Sequence, residues 1–519
     1  MGSMQRNSGH GPLFGPPSVR AKIAPSSPLT LALIAALALS GCAVGPDFRE
    51  PAAPEVPRYT HEKLPEATTS TDAPTGDAQK FLDGAPVPDR WWTTFVNDEL
   101  DRRVQQALTH SPTMASAQAA LRQAEENVAA SRGGLFPSVD ASAGAQRGNS
   151  NFFGELQPDQ SVFNVYNAGV NVNYTLDLFG GVRRGIETQS AFADFQQFQL
   201  EGTYLTLAAN VVTTSFREAS LRGQIEATEE IIDLYGQNLD LVKRQHEIGA
   251  KSLADVLVIE TQVATIRAQL PALRQQLAET QTQLAVYLGE FPAQSELAAV
   301  SLDSLTLPKD VPVSVPSEFV RQRPDIRAAE AQLHQATAAV GVATANLYPN
   351  ITLTGQYGSQ ALHTGDLFAG GTKFWGAGLN LLQPLFHGGT LRAQKRAAEA
   401  GLDKAAADYQ TTVLSAFQNV ADSLQALELD AENLRAQSDA ETSAQQSLDL
   451  VRIQYKDGAA SYLAVLDATR QYQQALIGLI QARAARLADT AALYAALGGG
   501  LTEGDARALA DARPAAANN

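Results

Sequence analysis

A single cysteine, Cys42, stands among 519 residues, so the chain cannot close a disulfide on itself. Seven histidines are scattered along it and form no cluster at metal-ligand spacing. No Ser/His/Asp set and no paired-acid set falls at a usable spacing, which argues against a surface enzyme. Lys and Arg number 39 against 55 Asp and Glu, and the formal charge of −16 argues against nucleic-acid binding, which needs a basic stripe. Long apolar runs are missing too: the clearest, Leu29 to Leu39, is too short to span a bilayer as a helix. What remains is an ordinary balance of 44% hydrophobic and 18% charged residues, so the chain is not of the disordered class.

The short apolar run is informative in place. Arg6, Arg20 and Lys22 precede it as a basic region, and Leu39-Ser40-Gly41-Cys42 follows. Basic, apolar, then small residues is signal-peptide order, and a cysteine right after the small residues resembles the bacterial lipobox. The expectation is a signal peptide over 1–41, with a diacylglycerol and a further acyl chain on Cys42, together a stable anchor. An ordinary signal peptide with a chance cysteine is the competing reading. Ala43 at the next position, by resemblance to bacterial lipoproteins, favours the outer membrane over the inner one. Residues 42–90, punctuated by Pro46, Pro51, Pro54 and Pro57, cannot be helical and read as an extended strap. Arg90-Trp91-Trp92 announces folded structure, with core packing as the plain role for the Trp pair.

From Asp98 to Arg132 apolar residues recur at helical steps, and Pro112 either kinks the helix or opens a new segment after Ser111. Beyond Leu135-Phe136-Pro137 the period changes to two, with Val139, Ala141, Ala143 and Ala145 alternating with polar or small residues. A polar loop from about Asn149 to Gln160 leads to the clearest strand, Val170, Val172, Tyr174, Leu176 and Leu178 on one face and Asn171, Asn173, Thr175 and Asp177 on the other. That alternation fits a lipid-facing barrel strand or a half-buried soluble sheet. Gly180-Gly181 ends it. A helical pattern then runs from about Val182 to Glu247, with Gly223 and Gly236 as candidate breaks, and a return helix from about Leu253 to Leu288. Phe291 to Pro316 reads as a linker.

The second half repeats the first. Arg323-Pro324 through Leu347-Tyr348-Pro349 follows Ser111-Pro112 through Leu135-Phe136-Pro137 at constant offset. Two more alternating segments follow, one with Ile351, Leu353, Gly355 and Tyr357, the other with Trp375, Ala377, Leu379 and Leu381. Another long helix carries a stripe from Leu402 through Tyr409, Val420 and Leu427 to Leu434, and a return helix runs from Leu463 to about Leu497. The hairpin tips match: Gly249 and Ser252 in the first, Gly458 and Ser461 in the second, each a helix stop followed by a helix cap. The division is therefore 91–316 for the first repeat with its linker, 317–498 for the second, and a disordered tail over 499–519.

Each chain supplies four amphipathic strands. Four cannot close a barrel, and an open edge in lipid would leave backbone groups unpaired. A dimer would give eight strands with a filled interior, whereas a trimer would give twelve and a lumen.

The lipobox, Arg90-Trp91-Trp92, the two Leu-Phe/Tyr-Pro strand entries, the Gly-Gly strand exits and the second tip from Tyr455 and Gly458 to Leu466-Asp467-Ala468 together resemble the TolC family of outer-membrane efflux ducts. Its lipoprotein branch, similar to OprM, fits best, and the resemblance covers about residues 39–498 in order. It implies an α+β membrane protein: a homotrimeric duct with a twelve-stranded β-barrel in the outer membrane and a long α-helical barrel in the periplasm. It implies a passive exit for small molecules such as antibiotics, docked to a periplasmic adaptor and an inner-membrane RND-type pump, with no cofactor. The positions matching the family's periplasmic gate are Tyr455, Leu463 and Asp467 on the second tip and Asp255 on the first. Under threefold symmetry Leu463 and Asp467 would make an apolar ring and a carboxylate ring. Ala460 and Ala464 stand where the family's founder has an Arg and a further Asp, so that part of its gate is absent. The competing role for Asp467 is helix capping. A type I protein-secretion duct and a structural coiled-coil lipoprotein are the alternative functions.

Overall fold

Two helices of 67 residues set the length of the molecule, about 100 Å each at about 1.5 Å per residue. The computed structural model describes residues 43–149 and 162–499. The signal peptide, Cys42, most of the loop expected after Asn149 and the tail from residue 500 lie outside them.

In chain order the elements are β1 (Lys80–Asp83), α1 (Asp98–His110), α2 (Pro112–Arg132), β2 (Ser138–Asn149), β3 (Val162–Leu176), α3 (Gly181–Glu247), α4 (Leu253–Arg267), α5 (Leu270–Tyr287), β4 (Asp310–Val313), α6 (Pro316–Gln322), α7 (Pro324–Ala345), β5 (Asn350–Ala361), β6 (Lys373–Leu382), α8 (Thr390–Lys456) and α9 (Tyr462–Ala496). The repeat is visible in the backbone. α3 and α8 have equal length, each follows a left-handed glycine (Gly180, Gly389), and each ends in a hairpin tip. Pro112 opens a new helix, with the Ser111 hydroxyl accepting from Thr113 N–H at 3.3 Å.

Three elements differ from the sequence expectation. α3 runs unbroken through Gly223 and Gly236, because helix packing outweighs the roughly 1 kcal/mol cost of each glycine. The first return helix is two helices. Pro271, which has no N–H to donate, sits at the second position of α5 and ends α4 at Arg267. The strand expected to reach Leu178 stops at Leu176. Asp177 turns away to accept from the Val182 and Arg183 N–H groups at 2.9 and 3.0 Å, capping α3, so Leu178 is not a strand residue.

The large sheet has order β2-β3-β5-β6, antiparallel throughout. Its register puts the alternating sets on one face: Val139 opposite Val172, Tyr174 opposite Leu353, Tyr357 opposite Trp375, and Leu353 opposite Leu379. Asn171, Asn173, Thr354 and Gln356 share the other face. β2 and β6 are its edges, and neither pairs further among the described residues.

At the far end from the tips, the strap begins against the strand exit. Val44 N–H donates to Phe179 O at 3.1 Å, and Gly180 has no room for a side chain because a Cβ would lie 2.6 Å from the Ala43 Cα. The strap then descends along the helices. Phe48 stacks on His334 at 4.4 Å, and Tyr59 packs on Phe319 and Phe417. It carries a strand of its own: β1 pairs in parallel with β4, which the linker supplies. The main core lies here, around the buried Trp91, Trp92, Phe95, Phe216 and Tyr494, with Trp91 stacked on Tyr494 at 5.7 Å. Two fully buried arginines stitch this belt. Arg103 donates to Glu218 at 2.9 Å and to Ala298 O. Arg486 holds the strap by donating to Thr68 Oγ1, Thr75 O and Asp77 O.

Beside Arg486, Asp430 of α8 neighbours Asp489 of α9, and its Oδ2 is buried without a hydrogen-bond partner. Burial first, then the neighbouring Asp489 carboxyl, push the Asp430 carboxyl up to about 7 against the opposing pull of Arg486. An acid that holds its proton more tightly folded than at its ordinary value of 3.8 favours the folded state when protonated. Stability is therefore expected to fall as pH rises from about 4 through about 7, and Asp430→Asn should flatten that slope. Helix melting followed by circular dichroism across this range checks it; an unchanged slope in the variant contradicts it.

Candidate functional site

Both hairpin tips are built by one device. α3 ends as Gly249 takes a φ of 74°, with Ala250 N–H reaching back to Gln245 O at 2.8 Å; α8 ends as Gly458 takes 75°, with Ala459 N–H on Gln454 O at 2.8 Å. A left-handed residue closing a six-residue hydrogen bond is the glycine stop of a helix. The return helices then start on serine caps, Ser252 accepting from Asp255 N–H and Ser461 from Ala464 N–H.

The four expected gate residues divide in this frame. Leu463 and Asp467 lie four apart on α9 and share one face. Leu463 is 68% exposed. Asp467 does not cap the helix, which Ser461 does. Its two oxygens instead accept from Arg470 Nη2 and Gln471 Nε2, both at 2.7 Å. The Arg470 hydrogen bond holds the Asp467 carboxyl below the usual range, so it stays ionised. Asp255 is closed into a capping box, its Oδ2 accepting from the Ser252 hydroxyl at 2.8 Å and N–H at 3.0 Å, and these bonds lower its carboxyl as well. Tyr455 stands edge-on to Tyr462 at 5.4 Å, and the Lys251 ammonium of the first tip lies 5.8 Å from its ring. The structure thus joins the two tips through Tyr455 and Lys251 rather than through Asp255. Beneath them a second small core, with Tyr235, Val256, Ile259, Tyr462 and Leu466, binds the hairpins, and the Tyr235 hydroxyl donates to Leu466 O at 3.1 Å.

Sequence reasoning missed Arg470 and Gln471 as partners of Asp467, although i+3 and i+4 spacing on a helix is a readable signal. It also missed Tyr462, which meets Tyr455 within the same tip, and Lys251, which reaches Tyr455 only through the packing of two distant hairpins.

The opposite end is the sheet. Val139, Val170, Val172, Leu353, Tyr357, Leu379 and Leu381 all stand exposed on its apolar face, and Trp375 is 78% exposed. Tyr174 and Leu176 are half-buried on that face. No helix among the described residues is long and apolar enough to cross a membrane.

An amphipathic four-stranded sheet carried on two long helical hairpins defines a class, the subunits of outer-membrane ducts. The chain belongs to the outer membrane efflux protein family, whose model matches residues 103–290 and 315–499. It is 32% identical over 416 residues to the pyoverdine export outer membrane protein OpmQ of Pseudomonas aeruginosa, covering 79% of this chain and 87% of that one. It is 30% identical over 471 residues to the toluene efflux pump outer membrane protein TtgC of Pseudomonas putida, covering 91% and 95%. Its structure resembles that of the outer-membrane channel OprN with a TM-score of 0.78 at 27% identity, covering 88% of this chain and 99% of that one. Members of this family are transport conduits rather than enzymes.

Proposed function

We propose that three copies of this chain close into a twelve-stranded barrel above and a continuous helical barrel below, forming the passive outer-membrane exit duct of a tripartite RND-type efflux pump. The observation that carries this is the sheet: one face apolar and exposed, the other polar, and both edges unpaired among the described residues. In lipid those edges must find partners. Three chains supply twelve strands, enough for a lumen, where two would supply eight and a filled interior. A structural coiled-coil spacer would have no use for such a sheet. Exposed Leu414 and Leu429 on α8 give the helical wall apolar surface for a neighbouring copy.

Val170, Val172, Tyr174 and Leu176 face the lipid in this arrangement, with Leu178 just below the strand. Cys42 carries the diacylglycerol and the further acyl chain. The next residue, Ala43, lies against Gly180 at the strand exit, and exposed Phe136 just before β2 and exposed Leu385 and Phe386 just after β6 mark the same end of the sheet, which is where the bilayer surface would fall. The tips point into the periplasm. Leu463 forms the apolar constriction and Asp467 a carboxylate ring one turn on; Tyr455, met by Lys251, holds the tips together, and Asp255 fixes the start of its own return helix. A periplasmic adaptor and an inner-membrane pump complete the assembly and supply the energy. Small molecules such as antibiotics are the cargo. The names of the two relatives refer to pyoverdine and to toluene, so one duct architecture serves unlike molecules.

Replacing Leu463 and Asp467 together by Ala is expected to raise single-channel conductance in planar bilayers several-fold; equal conductance would refute the gate. Cys42→Ser is expected to abolish palmitate labelling while trimers still form, and normal labelling of that variant would refute the anchor.

A further inference from the structure

The strand register sorts the charges of the sheet as well as its apolar residues. Arg147 and Lys373 fall on the apolar face, at the strand ends far from the helices. On the polar face, among the described strand residues, there is one formal charge, Asp140. It is the third residue of β2, about 7 Å along the strand from the helix junction. Asn171 is its register partner, and Asn173, Thr354 and Gln356 line the same cup of the sheet. Its neighbours are therefore amides and a hydroxyl, and none carries a compensating charge. Asp140 is exposed and forms no ion pair among the described residues. The carboxylates at the tips differ: Asp467 is paired with Arg470, and Asp255 is tied to Ser252.

We propose that Asp140 sets the charge preference of the barrel: three copies form a ring of unpaired carboxylates on a polar face with no other formal charge among the described strand residues, and favour cationic over anionic solutes. This rests on the trimeric duct with its polar face inward. Twelve strands about 4.8 Å apart and tilted about 40° enclose a backbone radius of about 12 Å, which leaves the carboxylates about 9 Å from the axis. The screening length is about 10 Å at 0.1 M salt, about 30 Å at 0.01 M and about 3 Å at 1 M. The ring therefore reaches the axis in dilute salt and is confined to the wall in molar salt. A preference made by fixed charge must grow as salt falls, whereas one made by pore size would not.

The test reads the reversal potential of the full-length, lipid-modified protein in planar bilayers of neutral phosphatidylcholine, under a KCl gradient of 0.1 against 0.01 M. The duct opened by Leu463→Ala and Asp467→Ala serves as parent, so that the tip does not dominate the reading. The parent is expected to prefer K⁺, Asp140→Asn to lose most of that preference, and Asp140→Lys to reverse its sign, with the differences vanishing in molar KCl. A reversed sign cannot come from a misfolded chain. An Asp140→Lys duct that conducts with the parent's reversal potential overturns the assignment. A parent and wild type that both fail to conduct overturn the duct itself, and the assignment with it.

Discussion

The backbone hydrogen bonds at the two edges of one sheet govern this molecule. β2 and β6 each present a row of N–H and C=O groups with no partner in the described chain. Water would satisfy them, but a bilayer cannot, and each unsatisfied group there costs several kcal/mol. The exposed face between those edges carries Val, Leu, Tyr and Trp, so water is the wrong solvent for it. Edge and face make opposite demands unless the edges meet other copies of the same sheet. The proposed closure by symmetry would meet both, and it would set the rest: a lumen lined by the polar face, helices that continue the wall, and tips brought together on the axis.

The helices extend that closure downward. Each repeat sends out a 67-residue helix from a glycine strand exit and returns from a glycine–serine tip, so the two hairpins match in length without any further device. The long helices are too thin to make a thick core of their own. The belt supplies one, where Trp91, Trp92, Phe95 and Tyr494 pack beneath a strap held by Arg486 and by the β1–β4 pair. The strap thus ties the end nearest the proposed lipid anchor to the middle of the helical wall.

Much of this was legible in the sequence because it depends on period. The strand faces follow from alternation, and the register confirms the pairing of like faces. The stripe of α8 follows from helical spacing, and its members from Tyr409 to Leu434 are buried. Where the reading failed, a residue was serving two patterns. Asp177 fits the polar phase of the strand but is taken by the N-terminus of α3. Pro271 falls inside a good helical period and still ends a helix. On α3, Phe192 and Phe195 are large and apolar but only half-buried, stacked on each other at 6.0 Å. The tip chemistry was half legible: Asp467 and Leu463 share a face by spacing alone, but the Lys251–Tyr455 contact joins residues some two hundred positions apart. The Asp430, Asp489 and Arg486 cluster likewise has no sequence signature across helices. Asp140 passed as one polar residue in an alternating strand, and its isolation emerged only when the register set four strands side by side.

The central claim is that the open sheet closes by threefold symmetry. Native mass spectrometry of the protein extracted gently from outer membranes counts the chains in each particle directly. The account predicts three. A population made of single chains or of pairs would contradict it, since neither can close these edges around a lumen.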